Sequence, residues 1–283
     1  MIDKIHLYLN NTIKFSSLSK KLKMSGIQFG PSKLRSGTWY KISEGRSEVL
    51  IRLDMRSGII FKVMINPAKC FATFAQMKAY LTRTLGPQVL AAAKVMEVHF
   101  AVDYNLKFEE VFRGIYIVHK RKMEIHSEGG QRTGAYFGAG DERVVVYDKF
   151  RERMRRKKSQ GIVDPTTRVE WRVKSKKIGA NSFDKLERLL GDIAKSGMPL
   201  FEKIYLYEIA VRSPDQVHGF VSERCIELRT AIKFAGYFEA RKLLNKNGNF
   251  SRTYERYLTK IPIKPHPAEK LTESLRFFVD PSE

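Results

Sequence analysis

Polar and apolar residues alternate along short segments of the first two-thirds of this chain, and period two is the mark of a strand with one buried face. Ile5–Leu9, Thr38–Ile42, Glu48–Asp54, Ile59–Ile65 and Val95–Asp103 carry the pattern, followed by Lys122–His126, Thr133–Gly138, Arg143–Lys149 and Arg168–Lys174. Turn signals separate them: Arg56-Ser57-Gly58, Glu128-Gly129-Gly130 and Gly138-Ala139-Gly140-Asp141. Loops this short join antiparallel neighbours.

Helical spacing interrupts the strands. Cys70–Leu85 reads as a helix stopped by Gly86-Pro87, and Lys107–Lys120 as another. Beyond Asn181 the texture changes. Ser182 caps a helix through Leu190 with Asp184 in its first turn, and Ser222–Asn245, Ser251–Thr259 and Pro267–Phe278 read as helical. The expected class is α+β, a central antiparallel sheet flanked by helices with a mainly helical C-terminal region. Residues 1–180 are read as an α+β domain and 181–283 as a mainly helical region.

Charge narrows the partners. Lys and Arg number 52 against 30 Asp and Glu, a formal +22. Self-repulsion of that size opposes folding and points to a polyanion, with nucleic acid ahead of an anionic membrane surface because no basic amphipathic helix with a broad apolar face stands out. No apolar run approaches the roughly 20 residues of a membrane span, and the first residues lack a signal-peptide core. The two cysteines, Cys70 and Cys225, give neither a disulfide scaffold nor a zinc framework. A cytoplasmic, reduced setting is expected.

On Val95–Asp103, Glu97, His99, Ala101 and Asp103 share one face. On Arg168–Val173, Arg168, Glu170 and Arg172 face outward while Val169, Trp171 and Val173 face the core. Should the two strands be neighbours, His99, Asp103 and Glu170 converge on one divalent ion, and this oxygen-rich set suits Mg²⁺ or Mn²⁺. The alternative is a solvated face of ion pairs such as Glu97–Arg172.

Thr133–Lys149 reads as a hairpin. Tyr136 stands between Gly134 and Gly138, a bare patch where another backbone can approach, and Tyr147, Lys149 and Arg143 share a face of the return strand. A phenol ionises near pH 10, so a tyrosine nucleophile needs a cation or metal beside it; the alternative is ordinary strand packing. Arg151, Arg153, Arg155, Arg156, Lys157 and Lys158 form a dense basic run suited to sequence-neutral phosphate contact. His119 and His126 stand alone and read as structural. Neither a P-loop nor a dinucleotide fingerprint nor a nucleophile elbow occurs.

Three segments, in order, resemble the Rep_trans-type replication initiation factors, a family of rolling-circle initiators of plasmids and phages with related conjugative relaxases. Glu97-Val98-His99-Phe100-Ala101-Val102-Asp103 is similar to the family's Arg-x-Asp-x-Ala-x-Asp strand. Thr133-Gly134-Ala135-Tyr136-Phe137-Gly138 leading to Val146-Tyr147-Asp148-Lys149 resembles its Thr-x-Tyr-x-Gly, loop, Tyr-Asp-Lys, and Thr167-Arg168-Val169-Glu170-Trp171-Arg172 its Arg-x-Glu strand. Asn66-Pro67-Ala68-Lys69 is similar to an Asn-Pro-x-Lys stretch of phage members. The likeness spans Val95–Lys174. Glu97 and His99 depart from the family's Arg and first Asp, and Ala139-Gly140 from its Ser-Arg; no His-x-His pair, the metal motif of many nickases, is present.

The resemblance implies a degenerate nickase-like fold and a metal-dependent enzyme that nicks one DNA strand, stays linked to the 5′-phosphate through a tyrosine and frees a 3′-hydroxyl primer. Tyr136 maps on the nucleophile, with Tyr147 in reserve, and Lys149 on the Tyr-Asp-Lys lysine. Asp103 and Glu170 map on the acidic metal ligands, with His99 as a further ligand. Expected DNA contacts are Arg132, Arg143, Arg168 and Arg172 near the strands, Arg155, Arg156, Lys157 and Lys158 in the basic run, and Arg252 and Arg256 near the C-terminus. An origin reader is expected from Ser222 onward, where Arg241, Lys242, Lys246 and Lys260 join the last two. Expected partners are an origin, single-stranded or extruded as a hairpin, and a host helicase, with a dimer as one assembly. A relaxase of the same chemistry and a non-catalytic DNA-binding protein are the alternatives.

Overall fold

The computed structural model describes residues 1–31, 39–54, 59–120, 122–155, 164–198, 201–213, 220–245 and 248–279. The chain opens with β1 (Ile2–Lys14), α1 (Phe15–Met24), β2 (Gln28–Pro31), β3 (Trp39–Glu44), β4 (Ser47–Asp54) and β5 (Ile59–Ile65). Three short helices follow, α2 (Pro67–Cys70), α3 (Phe74–Leu85) and α4 (Pro87–Ala92), then β6 (Lys94–Tyr104), α5 (Phe108–Gly114) and β7 (Ile115–Ile117). Next come β8 (Met123–Glu128), β9 (Gln131–Phe137), β10 (Glu142–Asp148), α6 (Lys149–Arg155) and β11 (Thr167–Lys174). The rest is α7 (Ser175–Ile178), α8 (Phe183–Ser196), β12 (Ile204–Val211), α9 (Phe220–Leu243), α10 (Phe250–Thr253), β13 (Leu258–Pro262) and α11 (Pro267–Val279).

The fold is α+β, antiparallel strands flanked by helices, with α9–α11 forming a C-terminal helical region. Packing divides it into two compact units, Met1–Ala101 with Trp171–Gly197 and Leu271–Glu283, and Val102–Glu170 with Met198–Lys270. Each unit takes part of β6 and part of β11, so the division does not coincide with the expected boundary after residue 180. Among the described residues no helix is long and apolar enough to cross a membrane.

In the first unit the strands run β2-β3-β4-β5-β1-β6-β11, and the pairings from β2 through β6 are antiparallel. Ile5, Leu7, Val63, Val98 and Phe100 are fully buried, and Phe100 stacks on Trp171 with ring centres 5.7 Å apart. Helix α8 starts where expected: the Ser182 hydroxyl accepts from the Lys185 N–H at 3.3 Å. Its Phe183 stacks on Phe74 of α3 at 5.3 Å. Cys70 lies buried in this unit and Cys225 in the other, both as free thiols.

In the second unit β6-β11-β10-β9-β8 are neighbours, and β13-β12-β7 form a separate three-stranded sheet. Two expectations fail here. The helix expected over Lys107–Lys120 ends at Gly114, because Ile115, Tyr116 and Ile117 pair with Leu206, Tyr205 and Ile204 of β12. Likewise Ser251–Thr259 is α-helical only through Thr253, with a 3-10 turn over Glu255–Tyr257, and Leu258–Pro262 pairs with Tyr207–Val211. Both stretches hold aromatic and β-branched residues, which a pleated sheet accommodates better than a helix once a partner strand is present. Helix α9 packs Cys225, Leu228, Ile232, Tyr237 and Ala240 against Phe250.

Candidate functional site

The cross-strand register of β1 and β6 pairs His6 with Glu97 and Lys4 with His99. Directly paired residues share a face, as do residues two apart on one strand. His6, Glu97 and His99 therefore meet on one side of the first unit's sheet. His6 Nδ1 lies 3.3 Å from one carboxylate oxygen of Glu97, and His99 Nε2 lies 3.2 Å from the other. The two imidazoles are 5.2 Å apart, centre to centre, and the ligand atoms of all three residues lie within 4.8 Å of one another.

Electrostatics suit a cation. The imidazoles of His6 and His99 hold the Glu97 carboxyl far below the usual carboxylate range. Burial lowers the His6 pKa and favours the neutral ring whose nitrogen can ligate. His99 is only 5 % exposed, so solvent competes weakly there.

Asp103 does not fit the expected ligand set. The Arg168 guanidinium donates to both its oxygens, Nε to Oδ1 at 2.6 Å and Nη2 to Oδ2 at 2.7 Å, and a fixed positive charge on a carboxylate opposes a metal ion there. Arg153 adds a further cation 4.0 Å from Oδ2. Nor do Arg168 and Glu170 face outward, being 5 % and 0 % exposed; β11 is covered on both sides at this point, a pattern that alternation does not reveal. His99 belongs to the first unit, and Asp103, Glu170, Tyr136 and Lys149 to the second.

The hairpin of β9 and β10 forms the second feature. Ala135 and Phe137 are buried with Val144 and Val146 on one face. Tyr136 lies half-buried on the other, in register with Val145 of β10 and Glu124 of β8. The His126 ring centre is 4.4 Å from that of Tyr136, and the Arg143 guanidinium lies 5.4 Å from it. Tyr147 occupies the same face opposite Gly134. The Lys149 ammonium meets Glu152 at 2.5 Å and stands 5.5 Å from the Tyr147 ring.

The two glycines flanking Tyr136 differ. Gly138 has φ +84°, and a Cβ there would come within 2.9 Å of the Lys120 side chain and 3.0 Å of the Glu142 carbonyl, so the turn requires it. At Gly134 a Cβ would meet nothing nearer than 3.4 Å. That Cβ would make ordinary contacts with the Val146 carbonyl and the Tyr147 and His126 side chains, at 3.4–3.9 Å, so the fold does not itself require the glycine.

The expected DNA-contact residues separate by surroundings. Arg132 is structural: it holds both oxygens of Glu109 at 3.2 and 2.8 Å and donates to the Phe234 carbonyl at 2.7 Å. Arg168 is committed to Asp103. Arg143 and Arg172 are half-buried, whereas Arg155, Arg252 and Arg256 are exposed. Arg155 lies 3.6 Å from Glu128, and Arg256 lies over the Tyr257 ring at 4.9 Å. Arg156, Lys157, Lys158 and Lys246 lie outside the described residues. In the expected reader, Arg241 and Lys260 converge on Glu255 at 4.0 and 3.3 Å.

Sequence reading passed over His6 and took His126 as structural. His6 does stand on the polar face of an alternating first segment, but nothing local pairs it with Glu97. His126 is the directly paired neighbour of Gly134, one hairpin step from Tyr136, and that pairing is set by a register shift between His126 and Ser127 that the Glu128-Gly129-Gly130 turn does not announce. Neither a protein-family model nor a curated protein matches the chain.

Proposed function

We propose that the protein is a DNA nicking and rejoining enzyme that uses Tyr136 as its nucleophile and starts rolling-circle replication. The observation that carries this reading is the setting of Tyr136, a half-buried phenol with an imidazole at 4.4 Å and a guanidinium at 5.4 Å, in a chain of net charge +22. His126 is within side-chain reach to take the phenol proton, and Arg143 offsets negative charge gathering on the phosphate. Attack forms the phenolic O–P bond as the P–O3′ bond breaks, and the 3′-oxygen leaves as a hydroxyl after taking up a proton. The 5′-phosphotyrosine keeps the energy of the broken ester. Attack by a 3′-hydroxyl reverses the step and needs no nucleotide hydrolysis. A divalent cation would supply charge neutralisation on the scissile phosphate.

A supercoiled plasmid carrying the DNA that flanks this gene tests the proposal. Wild type should yield nicked circles and a covalent protein–DNA adduct, Tyr136→Phe neither, and Tyr147→Phe both. Nicking by Tyr136→Phe at the wild-type rate transfers the role to another residue. Tight binding without nicking by wild type leaves a DNA-binding protein.

A further inference from the structure

Loss of Asp103 to Arg168 removes one ligand from the ion site expected from the sequence, while His6 and Glu97 join His99, which that site already held. We infer that the first unit binds a transition-metal dication, such as Mn²⁺, Co²⁺ or Zn²⁺, through His6, Glu97 and His99, in preference to Mg²⁺. The inference rests on this cluster's geometry within the first unit alone and does not depend on the proposed reaction.

Spacing is the first argument. Metal–ligand bonds of about 2.1 Å set neighbouring ligand atoms about 3.0 Å apart in an octahedron and about 3.4 Å apart in a tetrahedron. The two nitrogen–oxygen separations, 3.3 and 3.2 Å, fall between these edges. Each nitrogen faces a different oxygen of Glu97 and the ligand atoms of the three residues lie within 4.8 Å of one another, so an ion entering the cluster draws the side chains together by rotation about their bonds.

Donor chemistry is the second. Two imidazoles and a single carboxylate are ligands for borderline transition ions, whereas Mg²⁺ seeks oxygen and gives up water reluctantly. One carboxylate charge leaves the loaded site at +1, which attracts a phosphate. Three protein ligands also leave open positions for water or a phosphate oxygen.

Rigidity is the third. All three residues sit on adjacent, hydrogen-bonded strands, with register shifts between Ile2 and Lys4 and between His6 and Leu7 flanking the cluster, and the Met1 ammonium ties the start of β1 to β6 by donating to the Ala101 carbonyl at 2.9 Å. A site on paired strands holds its ligands more closely than one on loops.

Calorimetric titration of the full metal-stripped chain, without DNA, with Zn²⁺, Mn²⁺ and Mg²⁺ in turn decides the matter. One site per chain is expected, with Zn²⁺ and Mn²⁺ at least tenfold tighter than Mg²⁺. His6→Ala and His99→Ala should each weaken Zn²⁺ binding by more than the roughly 10–100-fold that loss of an outer-sphere partner costs. Wild-type chain loaded with Co²⁺ gives a check that needs no variant: its visible absorption should be abolished by equimolar Zn²⁺ and survive excess Mg²⁺. Equal affinity for Mg²⁺ and Zn²⁺, unchanged binding in both variants, or no site at all overturns the inference. Metal binding without nicking leaves it standing and removes the nickase; nicking in Mg²⁺ alone with no ion at the triad does the reverse.

Discussion

Arg168 and Asp103 face each other as a two-point ion pair, both guanidinium–carboxylate bonds between 2.6 and 2.7 Å. The Arg168 side chain is 6 % exposed and that of Asp103 19 %, so the pair is largely withdrawn from water. It joins β6 to β11 within the second unit, and the Lys270 ammonium donates to the Asp103 carbonyl at 2.6 Å from α11. Each partner neutralises the other, and neither is free for a metal or a phosphate.

Removing one partner is therefore a stability experiment. Asp103→Ala strands a buried guanidinium and should cost about 3–5 kcal/mol, read as a lower urea midpoint. Asp103→Asn, which still accepts one hydrogen bond, should cost less. The double variant Asp103→Leu/Arg168→Met should recover much of the loss, since a packed apolar pair replaces a buried ionic one at small net cost. Loss of Zn²⁺ affinity in Asp103→Asn with stability unchanged would return Asp103 to the ion site.

Gly236 and Gly191 should respond oppositely to alanine. Gly236 breaks α9 at φ +73° and ψ 166°, and a Cβ there would lie 2.8 Å from the Phe112 carbonyl oxygen. Gly236→Ala combines roughly 1–3 kcal/mol of backbone strain with that clash. Gly191 sits within α8 and a Cβ there would meet nothing within 4 Å. Gly191→Ala should stabilise by up to about 1 kcal/mol, and thermal unfolding of the two variants beside wild type checks both signs.

Strand alternation placed β4, β9 and β10, whose buried apolar residues recur at every second position, as at Val49, Ile51 and Leu53, at Ala135 and Phe137, and at Val144 and Val146. It failed where both faces are buried. From Val98 to Val102 every residue of β6 is buried, and so is β11 from Thr167 to Trp171, so polarity there marks paired charges rather than the direction of solvent. The strands β7, β12 and β13 were hidden for a different reason: β7 is three residues long, and Ile204–Val211 gains strand character only from two partners far away in sequence. Similarly, the Glu97–His99 half of the ion cluster was visible as an alternating pair, whereas His6 joins it through a register set by long-range pairing. Local pattern fixes what a segment tends to become; contacts between distant segments decide what it meets.

Alkaline titration should distinguish the tyrosines. Burial pushes the Tyr80 phenol up to about 12, and burial together with the Glu227 carboxylate does the same for Tyr254; Tyr104 and Tyr237 are raised further by burial. A raised folded-state pKa means that the native protein binds more protons than the unfolded chain above pH 10, so stability must fall as pH rises from 10 toward 12. Of the 12 tyrosines, these four should ionise only with unfolding. Tyrosinate absorbance and circular dichroism followed on the same samples should show their share of the signal appearing together with loss of the fold. A single smooth ionisation preceding unfolding contradicts the assignment.

Basic residues should divide into those that hold the fold and those that meet DNA. Arg132 bridges α5, α9 and β9 through Glu109 and two α9 carbonyls, with its guanidinium 4.7 Å from the Phe112 ring. Arg132→Ala should lower the urea midpoint. Arg252→Ala and Arg256→Ala, both at exposed positions, should leave stability within about 0.5 kcal/mol. Each should reduce the slope of log affinity against log salt by about 0.7–0.9 if it neutralises a phosphate. An unchanged slope in both would place the DNA path elsewhere.

His126 provides the sharpest test of the hairpin. Its ring is exposed yet only 4.4 Å from that of Tyr136, and β8 holds it in register with Gly134 rather than with the core. If the imidazole takes the phenol proton, His126→Ala should slow nicking by about 10²–10⁴-fold while DNA affinity and thermal stability change little. Added imidazole should then restore part of the rate, because a small base can occupy the space the side chain leaves, and it should restore none to Tyr136→Phe. His126→Phe keeps the ring contact and removes the base, so it should resemble the alanine variant in rate. Wild-type nicking by His126→Phe would reduce His126 to a packing partner and leave Arg143 as the group that acts on Tyr136.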